Sequence, residues 1–148
     1  MEEKKPMVER LPNWLRWILM FPMALLGAIV IETLIGWAGY LALGVADFIT
    51  VFIIANQSLI GTGVFIGIMG YFAPFGRRNV CIAAAVLMIL FSGSHMVMKW
   101  NMPDAFASWD LWVADIVNVL TAMGAICVLL QTDDTFEIDE RIDDDVET

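Results

Sequence analysis

Charged residues are scarce in the middle of this sequence. They make up 17% of the 148 residues, and most of them lie near the two ends of the chain. A soluble domain is about one quarter charged and about half apolar, whereas 59% of this chain is hydrophobic. A soluble fold could not cover so large an apolar core, and the composition therefore predicts an integral membrane protein.

Cysteine and histidine are also rare, and Cys81, Cys127 and His95 are the complete set. The two cysteines form no CxxC pair and no Cys/His spacing typical of a metal site, so we expect neither a disulfide framework nor a metal centre. The sequence has no P-loop, GxSxG or HExxH motif. We therefore expect no cofactor and no hydrolytic or nucleotide-dependent catalysis of a familiar kind, while an enzyme of another kind is left open.

Acidic residues are concentrated at the C-terminal end. Nine of the 17 follow Thr132, in the segment TDDTFEIDERIDDDVET, and they account for nearly all of the net charge of −9. This composition is typical of a solvated, partly disordered tail. Ile138, Ile142 and Val146 recur every four residues, so residues 133–147 could instead fold as a helix on a cytoplasmic partner. The acidity gives no reason to expect nucleic-acid binding.

Four apolar segments are each long enough to cross a bilayer, which takes about 20 residues. The connections between them are short and contain Pro74, Gly76 and Pro103, which break helices. Short connections make neighbouring helices antiparallel, so we predict an all-α integral membrane protein with an up-down four-helix bundle. The bundle occupies residues 17–131, between a basic interfacial N-terminus at 1–16 and an acidic cytoplasmic tail at 132–148, with spans at about 17–43, 48–72, 79–100 and 109–131.

The first apolar segment is too long for one straight crossing, and Pro22 should kink it. Before this proline, Trp14, Trp17, Ile18 and Phe21 share one helical face, and Arg16 points elsewhere. This pattern favours a short helix lying in the interface. A single tilted helix is an equally good interpretation.

Basic residues near the ends of the spans predict the orientation. They precede the first span, lie between the second and third, or follow the fourth: Lys4, Lys5, Arg10, Arg16, Arg77, Arg78 and Arg141. Lys99 is the exception at the opposite side. Both termini are therefore predicted to be cytoplasmic, in an inner or plasma membrane, where a reducing environment should keep both cysteines as thiols.

The costly polar residues lie in the outer half of the predicted bundle. At 1.5 Å per residue, Glu32 is ~15 Å below the outer boundary, Asn56 ~12 Å, Asp115 ~9 Å and His95 ~7 Å. Lys99 lies at the outer interface, where its stem could snorkel. The same layer includes Gln57, Ser92, Ser94 and Asn118.

Each predicted helix carries one stripe of small and polar residues. Four stripes facing inward would bring Glu32, Asn56, His95 and Asp115 together. On the second span the stripe includes a GxxxG motif, which fits packing within the chain and homodimerisation equally well. The packing residues predicted from this stripe are Gly63, Gly67 and Gly70.

Glu32 is the most informative polar residue. A carboxylate near the membrane midplane is either protonated, because burial disfavours the charged form, or paired with His95 or Lys99. His95 itself fits a satisfied structural network or a ligand or proton site. The residues of the candidate ligand or ion site are Glu32, Asn56, Gln57, His95, Lys99, Asp115 and Asn118.

Two functions of different classes fit these observations. The first is a polar pocket in the outer half that binds or transports a small solute, ion or proton, in a homo-oligomer or as a subunit of a larger membrane complex. The second is a structural or regulatory membrane subunit, such as an anchor or a phage-type modifier of the host membrane. In this second case the polar layer only holds the helices in register and the tail recruits a partner. A holin-like role belongs with this alternative.

Overall fold

The computed structural model describes residues 8, 11–43, 47–102 and 109–131. Its elements are α1 (Asn13–Leu43), α2 (Asp47–Phe72), α3 (Arg77–Asn101) and α4 (Trp109–Gln131). Over these ranges the chain has no strand, and all four helices are long and apolar enough to cross a membrane. The protein is therefore an all-helical chain with the character of a multi-pass membrane protein. The predictions for the acidic tail and for residues 1–7 concern residues outside these ranges.

α1 is one continuous helix of 31 residues with Pro22 inside it. The separate interfacial helix proposed for the residues before this proline is not found, and the single-helix interpretation describes the structure. Proline removes one backbone donor, but the remaining hydrogen bonds carry the helix through this position. Arg16 and the tryptophans near it are thus held on the first turns of the same helix.

α1 packs against α2 and makes few contacts with α3 or α4. The two helices approach each other at glycines of α1. A Cβ atom added at Gly39 would lie 2.8 Å from Cγ1 of Ile53, and one added at Gly27 would meet Ile68. Later positions of α1 thus meet earlier positions of α2, so these two helices run in opposite directions. The order of all four crossings in a membrane, and the side of each terminus, stay predictions.

α2, α3 and α4 pack on one another around an apolar core. On α2 the core residues are Phe65, Ile66 and Met69. The other helices add mostly small side chains to it, and these allow close approach: Met20, Ala24, Ala28, Ala84, Ala85 and Ala122. This core separates the polar residues near one end of the helices from the basic turn at the other end.

The inward direction predicted for the glycine stripe of α2 is wrong. Gly63 and Gly67 are exposed, and a Cβ atom at either position would meet nothing within 4 Å. Only Gly70 lies at a helix contact, against Cys81 of α3. Glycines have no side chain to fill the core, and the larger residues of another face do so: Ser58, Thr62, Phe65, Ile66 and Met69. Packing through Gly63 and Gly67 stays a prediction for contacts between copies of the chain.

We expect Gly39→Ala to lower the free energy of unfolding by about 1–3 kcal/mol relative to Gly63→Ala. Both changes give the same gain in helix propensity, but the methyl group at position 39 meets the buried, stiff side chain of Ile53. Circular dichroism during titration of detergent micelles with SDS measures the difference. Equal stabilities of the two variants would contradict the close approach of α1 and α2.

Candidate functional site

A buried ion pair joins the C-terminal end of α3 to the N-terminal part of α4. The Lys99 Nζ donates to Asp115 Oδ2 at 2.6 Å, and the two side chains are 3% and 6% exposed. The Nδ1 of His95 lies 3.4 Å from the other carboxylate oxygen, Oδ1. The His95 ring is 42% exposed and stacks on Phe91. The snorkelling predicted for Lys99 is therefore not found, because its ammonium group finds a carboxylate inside the bundle.

Helical spacing places these groups together. Ser92, His95 and Lys99 follow one another at i, i+3 and i+7, which puts them on one face of α3. That face meets α4 at Asp115. One carboxylate oxygen of Asp115 accepts from Lys99, and the other lies near Nδ1 of His95. The charge of Asp115 is thus paired with that of Lys99.

Polar contacts continue from this cluster toward the core. Asn118 lies three residues after Asp115, about 4.5 Å along α4, and its Oδ1 accepts a hydrogen bond of 2.7 Å from the hydroxyl of Thr62 on α2. Thr62 and Ser92 are fully buried. The Ser92 hydroxyl makes no hydrogen bond with the part of the chain that the structure describes. Beyond these residues the apolar core begins at Ala122.

Glu32 lies in a different place, between α1 and α2. A Cβ atom at Gly61 would collide with its carboxylate, so the glycine provides the space that the side chain occupies. Gln57 Nε2 donates to the backbone carbonyl of Glu32 at 2.8 Å. The carboxylate itself receives no hydrogen bond and no ion pair from residues in the described ranges. Glu32 is therefore a half-buried carboxylate whose charge is not balanced there.

The structure does not bring the four predicted polar residues to one site. Glu32 has no bond with His95 or Asp115, because α1 contacts mainly α2. Asn56 donates to the carbonyl of Phe52 on its own helix, at 2.8 Å, and joins neither group. The candidate residues thus divide into a His95–Lys99–Asp115 cluster, an Asn118–Thr62 pair and a Glu32–Gln57 site.

Arg16 is a polar anchor that the sequence reasoning missed. Its guanidinium group is buried, with Nε 3.2 Å from the carbonyl of Phe72 and Nη2 2.9 Å from that of Ala73. These carbonyls lie at the end of α2, where no helical partner is available. The signal was present, because steps of four from Ala28 through Ala24 and Met20 reach Arg16 on the buried face of α1.

No protein-family model matches the sequence, and no curated protein or solved structure is similar to it. The assignment of a class therefore rests on the molecule itself. Four long apolar helices with ionisable side chains between them define a small multi-pass helical membrane protein.

Proposed function

We propose that the protein binds and releases a proton at Glu32, and that it acts in transport or sensing as a homo-oligomer or as a subunit of a larger membrane complex. The single observation that carries this proposal is the unbalanced carboxylate of Glu32 inside a membrane-spanning helix. Ionisable groups at this depth are expensive and are typical of proton or ion pathways. A proton is the simplest ligand, because one carboxylate binds it without a coordination shell.

The surroundings of Glu32 support exchange of a proton. The side chain is half-buried and rests against the glycine at position 61. Gln57 holds the backbone at this point but leaves the carboxylate oxygens without a donor. No described cation competes with a proton for these oxygens, whereas the ammonium group of Lys99 contacts the carboxylate of Asp115.

The apolar core argues against a continuous pore through one chain. Polar side chains extend from His95 only as far as Thr62 and Ser92, and alanines and aromatic residues follow. A pore needs polar groups or water along its whole length. Any transport would therefore require contacts with another chain, for which the exposed Gly63 and Gly67 provide a close-packing surface.

The direct test is modification by a hydrophobic carbodiimide, which reacts with protonated carboxyl groups and reaches groups within lipid. In proteoliposomes we expect one modified residue, Glu32, whose modification decreases as the pH is raised, because the reagent needs the protonated carboxyl group. Mass spectrometry of the peptides measures the site and the extent.

Two variants control this experiment. Glu32→Gln should abolish modification, and the double change Lys99→Met/Asp115→Leu should leave it in place, because it removes the carboxylate of Asp115 together with its ion-pair partner. Modification that is absent throughout the pH range, or that falls on another carboxyl group, would overturn the proposal.

A structural or regulatory subunit is the second candidate. The compensated ion pair of Lys99 and Asp115 favours it, since such a pair fixes helix register without offering a site. In this case the acidic residues 133–147 would recruit a cytoplasmic partner. Deleting them would remove activity and leave the bundle folded, whereas the proton-binding protein would keep its carbodiimide reaction and its activity.

A further inference from the structure

Glu32 on α1 and His95 on α3 are two polar side chains whose hydrogen-bonding groups are not all satisfied within the described residues. The Glu32 carboxylate has no hydrogen bond and no ion pair there. On His95, Nδ1 lies 3.4 Å from Oδ1 of Asp115, but Nε2 makes no hydrogen bond with the described ranges. Glu32 is partly exposed, and 42% of the His95 side chain is exposed. Both groups therefore reach the surface of the helix bundle.

The two groups lie at nearly the same level of the bundle. The Glu32 carboxylate lies against Gly61 of α2, and the residue after this glycine bonds to Asn118 of α4. Asp115 is three residues before Asn118, about 4.5 Å along α4. Because His95 lies beside Asp115, its ring and the Glu32 carboxylate are separated by about 6 Å or less along the helix axes.

A single chain does not bring these groups together. α1 contacts mainly α2, whereas His95 faces α4 through Asp115. The other described basic side chains are engaged elsewhere: Lys99 pairs with Asp115, Arg16 donates to two backbone carbonyls, and the two arginines that begin α3 have partners. Ionisable groups in membrane helices typically pair with one another, so these observations favour a partner for Glu32 on another chain.

The carboxylate of Asp115 sets the hydrogen-bonding role of the exposed nitrogen of His95. An ionised carboxylate only accepts, so neutral His95 carries its proton at Nδ1 and leaves Nε2 as an acceptor. A protonated carboxyl group is a donor that fits this acceptor. When the proton moves, the O–H bond of the carboxyl group breaks and an N–H bond forms at Nε2, which leaves a carboxylate facing an imidazolium ion. Lys99 and Asp115 are the charged groups beside the ring, and α2 has no charged residue after Asp47 that could face Glu32.

We propose that Nε2 of His95 in one copy of the chain meets the Glu32 carboxyl group of a second copy. The two groups have complementary chemistry, lie at a similar level and are accessible at the surface of the bundle. The inference rests on the proposed function, because it names the group that accepts the proton of Glu32. Since the two groups belong to different helices of each copy, repetition of the contact produces a closed dimer or a ring.

Cysteine cross-linking in native membranes tests this contact. In a Cys81→Ser/Cys127→Ser background, one chain carries Glu32→Cys, and a second chain with a different affinity tag carries His95→Cys. We expect a short bifunctional thiol reagent to link the two chains several-fold more than it links copies of either variant expressed alone. The mixed assembly keeps Glu32 on one chain and His95 on the other, so one native contact still holds it together.

Leu34→Cys and Val97→Cys form the matched control pair. Each position lies two residues beyond Glu32 or His95 on the same helix, which is a rotation of roughly 200° and a shift of only about 3 Å. Both side chains are exposed, at 59% and 63%, so the reagent reaches them equally well. We expect little linking between chains that carry this pair, because the two cysteines point away from the proposed contact.

Association in lipid vesicles provides a second measurement. His95→Phe keeps an aromatic ring beside Phe91 and removes both ring nitrogens, and Glu32→Met keeps a long side chain and removes the carboxylate. Each change should weaken association roughly threefold or more, as for loss of one polar contact between membrane helices. The double variant should be no weaker than either single variant, because both changes remove the same contact. Single-molecule photobleaching over a range of protein-to-lipid ratios measures association.

Three results would overturn the inference. The first is linking of the Glu32→Cys and His95→Cys chains that does not exceed the control pair. The second is a link within one chain when both cysteines are placed on it, and the third is independent, additive effects of His95→Phe and Glu32→Met. A failed link with carbodiimide modification of Glu32 intact would reject this contact alone. A strong link without that modification would reject the proposed function alone.

Discussion

Asp115→Asn is expected to lower the free energy of unfolding by about 3–5 kcal/mol. The change removes the carboxylate 2.6 Å from the buried ammonium group of Lys99, and breaking a buried ion pair by removing one of its members is strongly destabilising. SDS titration of the micellar protein, followed by circular dichroism, measures the loss. The same change also removes the oxygen 3.4 Å from His95, so His95 should become more mobile.

Glu32→Gln is the matched control for this prediction. It also converts a carboxylate to an amide within a membrane helix, but it breaks no ion pair with the described residues. Its effect on stability should be within about 0.5 kcal/mol of zero, as for substitutions that break no specific contact. The double change Lys99→Met/Asp115→Leu should recover most of the loss, because apolar residues often replace a buried pair without a penalty. A double variant as unstable as Asp115→Asn would contradict this explanation.

Arg16→Met is expected to lower the free energy of unfolding by about 3 kcal/mol. The side chain donates two hydrogen bonds to the carbonyls of Phe72 and Ala73, and hydrogen bonds from a charged donor contribute about 1.5–3 kcal/mol each. Methionine fills the same apolar surface but leaves both carbonyls without this donor. The measurement is the same SDS titration, with unfolding also followed by tryptophan fluorescence.

Arg16→Lys separates the charge of this residue from its geometry. Lysine keeps the positive charge but lacks the planar fork that reaches two carbonyls at once. Its stability should therefore fall between those of the wild-type protein and Arg16→Met. A lysine variant as stable as the wild type would show that charge alone matters at this position, and would contradict the role given to the two hydrogen bonds.

The number and approximate limits of the helices could be predicted from composition and hydrophobic length. Each apolar run is long enough to span a bilayer, and Pro74 and Gly76 fall in the turn between α2 and α3. The polar face of α3 was also visible, since Ser92, His95 and Lys99 recur with helical spacing. These features could be predicted because each depends only on the residues of one segment.

The partners of each face could not be predicted in the same way. In lipid, apolar side chains gain little from facing the protein, so the direction of a stripe depends on fit between helices. On α2 the larger Phe65 and Ile66 fill the core, and Gly63 and Gly67 face outward. α1 then contacts mainly α2, which separates Glu32 from His95. No periodicity within a single helix contains this information.

The polar contacts between helices can form only in a certain order during synthesis of the chain. Thr62 meets Asn118 across 56 residues of sequence, and Lys99 meets Asp115 across 16. Both partners lie on α4, which leaves the ribosome after α2 and α3. Until α4 is inserted, Thr62 and Lys99 lack the contacts that Asn118 and Asp115 make with them. α4 therefore completes these two polar contacts, and a chain that ends before it would lack the carboxylate of Asp115 at Lys99 and the amide oxygen of Asn118 at Thr62.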